Sequence, residues 1–325
     1  MFHKVISYIV RKFKKIFLRN FSYEVWNVGI IKANPGFLLQ SPDLAKLQIT
    51  WLPTHKRFSY YADPFPYLYK ENFYLFVEDF NYYNKRGAIC CLQVDASSGN
   101  IVKKREIFKN DTHYSYPLIL SENNNFYIIP ETSSLKELSL YKAVDFPEIW
   151  EKEKILLRNK DVIDATLFYY ENYYWIFYTT RSKIHPQDSE LHIAFSSNLQ
   201  SSFKEHPANP VKVDSSSSRP AGNIFIHKNK LYRPAQDCSR NYGENIVVNE
   251  IITLNKTEYI EKQVSKVSMK NHPYYKDGIH TVNFAGEYMV FDAKKRIYSP
   301  LRIFINIYRK FRRIFRAFVA RLPIP

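Results

Sequence analysis

From about residue 50 to residue 295 the chain alternates short apolar, aromatic-rich runs with polar turns, and no long helical periodicity interrupts them. One pattern recurs five times. A polar residue opens each copy, often followed by Pro or another small residue. An apolar run, a polar turn such as Lys70-Glu71-Asn72, and a second aromatic run complete a hairpin. The copies start at Asp63, Tyr116, Asp164, Arg219 and His280, at separations of 53, 48, 55 and 61 residues. A strand-only repeat of that length predicts an all-β, five-bladed β-propeller. The runs between copies, such as Ala88–Val94 and Ile101–Phe108, supply the outer half of each blade. The innermost strands line a central channel, so the five opening residues are expected to converge at one mouth of it.

The two ends read differently. Val5, Ile6, Ile9, Val10, Phe13, Ile16 and Phe17 recur at helical spacing, with Lys and Arg between them. Phe304, Ile307, Tyr308, Phe311, Ile314, Phe315, Phe318 and Leu322 repeat the arrangement. The expected organisation is a basic amphipathic helix over residues 1–22, a propeller over 23–295 and a second basic helix over 296–325. Apolar residues opposite Lys and Arg describe an interfacial helix. Phe13, Phe17, Phe311, Arg312, Arg313, Phe315 and Phe318 are the expected membrane-binding residues. No run is long and apolar enough for a transmembrane span. Lys and Arg interrupt the N-terminus throughout, which does not read as a secretory signal.

Charge sharpens this division. The chain carries a net charge of +16, with 47 Lys and Arg against 31 Asp and Glu. Most of the excess sits in the two acid-free ends, and the body between them is nearly balanced. A nucleic-acid protein would show its basic surface on the folded body, so nucleic acid is not the expected partner. An anionic membrane surface is, which places the protein in the cytoplasm, peripheral on the inner face of the membrane. Cys90, Cys91 and Cys238 show no metal-ligand spacing and read as small buried hydrophobes, the adjacent pair on opposite strand faces. No cofactor motif and no metal site is read from the chain. Ser215 to Ser218 read as a flexible polar loop.

The strings Asp63-Pro64-Phe65, Ser115-Tyr116-Pro117, Pro130-Glu131-Thr132, Asp164-Ala165-Thr166, Arg219-Pro220-Ala221-Gly222, Arg233-Pro234-Ala235-Gln236-Asp237-Cys238 and His280-Thr281 resemble a known family. It is the propeller domain at the N-terminus of glucosamine inositolphosphorylceramide transferases, which also has bacterial stand-alone members in surface-polysaccharide settings. The resemblance runs from about Trp26 to Asp292. It implies a glycan context, although the plant transferases carry their recognised glycosyltransferase domain after the propeller. More distantly, the chain resembles five-bladed glycoside hydrolases of families 43, 32 and 130. That resemblance implies Asp63 as a first-blade base, Asp164 as a third-blade modulating carboxylate and His280 as the fifth-blade histidine. Arg219 opens the blade where a fourth-blade acid is expected, a departure from simple hydrolysis.

Glycosidic chemistry calls for an acid and a base or nucleophile. Asp63, Asp164 and Glu131 are the catalytic candidates. Glu78, Tyr116, Arg219, Arg233, Gln236, Asp237 and His280 are the candidate substrate ligands. Arg219, Arg233 and His280 would put positive charge at the same mouth, suited to a phosphate leaving group. The expected partners are therefore a nucleotide- or lipid-phosphate-linked sugar donor and a glycan or lipid-linked acceptor. The leading reading is a membrane-associated glycosyltransferase or glycan-processing enzyme of bacterial surface-polysaccharide assembly. A non-catalytic glycan-binding scaffold and a glycoside hydrolase or phosphorylase stand as alternatives.

Overall fold

The computed structural model describes residues 6, 12, 13, 16–181 and 184–319, the side chains of 316–319 excepted. The strands form five antiparallel sheets arranged as a five-bladed β-propeller. Blade one is β3 (Ser59–Tyr69), β4 (Asn72–Asn81), β5 (Arg86–Val94) and β6 (Ile101–Phe108). Blade two is β7 (Ser115–Glu122), β8 (Asn125–Glu131), β9 (Glu137–Asp145) and β10 (Ile149–Arg158). Blade three is β11 (Ile163–Tyr170), β12 (Tyr173–Thr179) and β13 (Glu190–Ser196), with β14 (Lys204–Glu205) and β15 (Lys212–Val213) both pairing β13. Blade four is β16 (Phe225–His227), β17 (Lys230–Asp237), β18 (Asn245–Leu254) and β19 (Tyr259–Val267).

Blade five departs from the sequential rule. Its inner hairpin, β20 (Gly278–Ala285) and β21 (Tyr288–Tyr298), is completed by β1 (Ser22–Lys32) and β2 (Thr50–Trp51) from the start of the chain. The β1–β21 ladder runs from Ser22 against Tyr298 to Lys32 against Tyr288. The ring is therefore closed by main-chain bonds between segments far apart in sequence. The repeat pattern did not contain β1, because SYEVWNVGIIK has no opening polar-Pro signature.

Period-2 alternation in these antiparallel blades puts apolar residues of facing blades against each other. Cys90 packs beside Val28, Leu75 and Val77, whereas adjacent Cys91 packs beside Phe65, Phe76 and Leu118. The pair thus divides between two faces, as alternation requires.

The strands of blade five reach Tyr298, and a helix follows over Arg302–Val319. Ile305 is buried against Tyr23 and Phe58, and Asn306 donates to the Arg19 carbonyl and to Asn20 Oδ1. Residues 16–21 are helical. Ile6, Lys12 and Phe13 are helical as well, and Ser22, the expected last residue of this helix, already belongs to β1; the other residues of the expected N-terminal helix, including Val5, Ile9 and Val10, lie outside the described residues, as does the side chain of Phe318. No described helix is long and apolar enough to cross a membrane.

Candidate active site

In four blades the opening residue sits on a β-bulge. In blade one Ala62 pairs Glu78 and Phe65 pairs Phe76, so Asp63 and Pro64 together face Val77. Blades two, three and five repeat the interruption after Ser115, Ile163 and Ile279, placing Tyr116, Asp164 and His280 at the same step. A bulge re-aims a side chain that alternation would otherwise send into the core. Pro64 and Pro117 fit there, because an innermost strand is an edge and a bulge needs no ladder donor.

Asp63, Tyr116 and Asp164 hold positive φ values of 50°, 44° and 49°. For residues with a Cβ such a backbone costs on the order of 1–3 kcal/mol and persists only where its surroundings over-determine it. Here the N–H of each donates to a carboxylate of the preceding blade. Asp63 donates to Asp292 Oδ2 at 2.8 Å, Tyr116 to Asp63 Oδ2 at 3.1 Å, and Asp164 to Glu131 Oε2 at 3.1 Å. Carboxylates therefore stitch the blades at the mouth and hold the strained bulges.

Two clusters result. In the first, Asp292 Oδ1 lies 2.6 Å from His280 Nδ1 and also accepts from the His280 and Thr281 N–H groups. His280 Nε2 approaches Asp63 Oδ1 at 3.4 Å, and the Thr281 hydroxyl donates to that oxygen at 2.9 Å. The His280 ring stacks on Trp26 at 3.9 Å between centroids. In the second cluster, Asp164 Oδ2 accepts from Arg219 Nε and Gln236 Nε2, each at 2.6 Å. Arg219 Nη1 donates to Asp188 at 2.7 Å, and its guanidinium lies over the Tyr242 ring.

The acids are almost fully buried, Asp63 at 4% and Asp164 at 3% exposure. Burial disfavours their charged forms. It pushes Asp63 up to about 6, with His280 opposing and Asp164 and Asp292 adding. It pushes Asp164 up to about 7, with Arg219 opposing and neighbouring Glu131 adding. Burial, then Asp63 and Glu131, hold Glu78 well above the carboxylate range. Burial lowers His280, but Asp292 and Asp63 outweigh it and leave the imidazole above its ordinary value. The mouth thus holds both protonated and ionised groups near neutral pH, which is what acid–base chemistry requires.

Asp63, Asp164, Glu131, Glu78, Arg219, Gln236 and His280 all belong to this mouth. Tyr116 lies beneath it, fully buried, its hydroxyl accepting from the Gly222 N–H at 2.6 Å and meeting Thr166 Oγ1 at 2.9 Å. Two candidates do not belong. Arg233 binds Glu261 through Nε and Nη2 at 2.8 and 2.7 Å and donates to the Ser217 and Ser218 carbonyls. Asp237 pairs with Lys266 and accepts from Ser239. The reason is parity. Successive strand residues face opposite ways. Gln236 faces Asp164, so Arg233 and Asp237 lie on the other face of the sheet, where they meet Glu261 and Lys266 of β19. With Arg233 and Arg219 both ion-paired, the expected cationic mouth is instead rich in carboxylates. Nor is Ser215–Ser218 a loose loop, since Ser217 and Ser218 are buried and bonded.

Sequence reasoning missed Asp292, Asp188, Trp26, Thr281, Tyr242 and His113. Asp292 lies within the second strand of the fifth copy, so an acid in that position was a usable signal. His113, in the loop before β7, accepts the Gly87 N–H on Nδ1 and turns Nε2 to 3.7 Å from Glu78. Gly87 permits this, because a Cβ there would stand 2.3 Å from Glu78 Oε1. Asp63, His280 and Asp292 each offer a ligand atom within 4.8 Å of the others, enough for a cation. The same atoms are also satisfied by their hydrogen bonds to one another and to the backbone.

Residues 52–286 match the family "Glucosamine inositolphosphorylceramide transferase 1, N-terminal". The chain belongs to that family. Every mouth residue except Trp26 and Asp292 falls inside the matched span. Glucosamine inositolphosphorylceramide transferase 1 of Arabidopsis thaliana is 32% identical over 210 residues, covering 63% of this chain and 27% of that protein. The protein of the same name from Oryza sativa subsp. indica is 34% identical over 212 residues, covering 64% and 28%. The chain thus spans about a quarter of the curated relatives it matches. Among solved structures, a family 117 glycoside hydrolase of Zobellia galactanivorans superposes with a TM-score of 0.51 at 11% identity, covering 85% of this chain and 91% of that one. An α-L-arabinofuranosidase of Lactobacillus brevis gives a TM-score of 0.51 at 14% identity, covering 71% and 82%. At such identities the agreement is one of fold.

Proposed function

We propose that the propeller mouth is a glycan-processing active site, working at a membrane surface in the assembly of a bacterial surface polysaccharide. The observation that carries this is the pair of bulge carboxylates, Asp63 and Asp164, set among protonated and ionised neighbours and raised to about 6 and about 7. In this reading Asp63 takes the proton of an acceptor hydroxyl as its oxygen bonds to the anomeric carbon. The bond to the leaving group breaks at the same centre. Neutral Glu78 supplies a proton to that group, or a phosphate leaves without one. Asp164, held by Arg219 and Gln236, orients the sugar and sets the field on Asp63. The transferase names of the relatives and the glycan context of the family favour glycosyl transfer. The exposed apolar and basic faces of the terminal helices favour a lipid-linked acceptor.

A second reading, a non-catalytic glycan-binding platform, draws on Tyr116, which is fully buried and ties its own blade to Thr166 and Gly222 through its hydroxyl. One experiment tests the catalytic reading. Asp63→Asn and Asp164→Asn are introduced separately in the native host, with protein level and membrane association monitored. Loss of the surface glycan in both is the expected result. An unchanged glycan at normal protein level would sink the catalytic reading.

A further inference from the structure

The C-terminal helix does more than pack on the propeller. It walls a groove whose other wall is the turn between β4 and β5. Two adjoining cavities make up this groove. One, of 320 Å³, is lined by Tyr83, Lys85, Arg86, Arg309, Arg312 and Arg313 among others. The other, of 840 Å³, is lined by Arg19, Lys85, Arg302, Arg309, Lys310 and Arg313 among others. Lys85, Arg309 and Arg313 line both. Among the described residues, no acid lines either.

Clustered cations normally find counter-charges, and elsewhere in this chain they do. Arg219 and Arg233 are both paired with buried carboxylates. Arg302 is not. It is only 9% exposed, yet its Nε and Nη1 have no hydrogen-bond partner, and the guanidinium rests on the Tyr82 ring at 4.4 Å. Burial and the charge of Arg19 both lower Arg309, a sign of like charges held together. Arg86, at one end of the groove, pairs with Asp111, but among the described residues no acid lines the groove beside the other cations, and arginine forks suit phosphate oxygens.

The surroundings identify the source of that phosphate. Phe304, Ile307, Phe311, Ile314 and Phe315 on the same helix are exposed, Phe311 at 70%. Phe13, Ile16 and Phe17 of the N-terminal segment are exposed as well, and Ile16 and Ile307 line the groove itself. Apolar rings beside a cationic groove match the boundary between acyl chains and headgroups. One groove residue lies towards the mouth. Lys85 lies just before Gly87, which is packed against Glu78, and its charge acts on His113.

We propose that this groove binds the phosphomonoester or diphosphate headgroup of a membrane lipid and holds the lipid-borne substrate beside the carboxylate mouth. The proposal rests on the membrane-surface reading above. Most of the groove residues, Arg19 and Arg302 to Arg313, lie outside the span shared with the family. The groove thus joins segments outside the matched span to the turn between β4 and β5 inside it.

The test is vesicle co-sedimentation of the full chain. Phosphatidylcholine vesicles carry either phosphatidic acid, a phosphomonoester, or phosphatidylglycerol, a diester, matched in surface potential. The expected result is binding to phosphatidic acid tighter by about tenfold, the worth of one or two extra charge contacts. Lys85→Gln with Arg313→Gln removes the preference and leaves phosphatidylglycerol binding in place. Both side chains are exposed, so an unchanged melting temperature is expected to accompany the loss. Equal binding to the two lipids, or a preference that survives the double substitution, overturns the groove while leaving membrane association standing. No binding to either vesicle overturns both. Inorganic pyrophosphate that binds without vesicles as tightly as phosphatidic acid does overturns the lipid assignment in favour of a soluble diphosphate.

Discussion

Arg219 and Arg233 belong to one blade, are both buried, and both grip carboxylates, yet they do opposite things. Arg233, on β17, reaches past β18 to Glu261 of β19, and its donors are spread over that carboxylate and two carbonyls. Burial alone would raise Glu261, but Arg233 and then Lys212 outweigh it and pull the carboxyl down to about 2. That charge pair is fixed over the whole ordinary pH range. Arg219 divides itself between Asp164 and Asp188, and Asp164 still stands at about 7 because burial and Glu131 outweigh the cation. The lesson is that an ion pair in this fold is structural where the carboxylates are matched by cations. It becomes poised for proton exchange where acids outnumber cations.

The comparison can be broken most forcefully at Arg233. Arg233→Ala leaves Glu261 buried with Lys212 as its remaining cation, and a broken buried pair costs about 3–5 kcal/mol. Chemical denaturation is expected to show that loss. A cost below about 1 kcal/mol would mean the pair is no anchor.

The pH dependence sharpens the contrast next. Asp63 and Asp164 have folded values above their unfolded ones. Their contribution is present below about pH 4 and is lost as pH rises through 6 to 7. For Asp63 alone the shift from 3.8 to about 6 corresponds to roughly 3 kcal/mol, as an order of magnitude. Glu261 has the opposite sign: its contribution is present above about 4.5 and is lost as pH falls towards 2. Thermal melts are therefore expected to fall between pH 5 and pH 8, and Asp63→Asn is expected to flatten that fall. A slope unchanged by the substitution would argue that Asp63 titrates normally.

The smallest effect is expected beneath the mouth. Tyr116→Phe removes the hydroxyl that accepts from Gly222 and leaves a buried N–H unsatisfied, at a cost of about 1–3 kcal/mol. A neutral change would show that the channel floor relaxes without it.

Much of this was legible in the chain. The opening residues Asp63, Tyr116, Asp164 and His280 stand at one structural step because polar-then-Pro or polar-then-small marks a bulge on an inner edge strand. The strand parity of β17 was legible too, but Arg233, Gln236 and Asp237 were assigned to one mouth although alternation forbids it. What the pattern did not carry is closure. That β1 completes blade five, bringing Trp26 onto His280, depends on a ladder between the two ends of the propeller. The charge state of the mouth was likewise hidden, since it follows from burial and from how many acids share each cation.

The most direct test of the account is a carboxyl carbon NMR titration of the full chain, with Asp63 assigned by its absence in Asp63→Asn. The expected midpoints are near 6 for Asp63 and near 7 for Asp164. A midpoint near 4 for both would show a mouth of ordinary ionised carboxylates and would contradict the claim that it is poised for proton transfer.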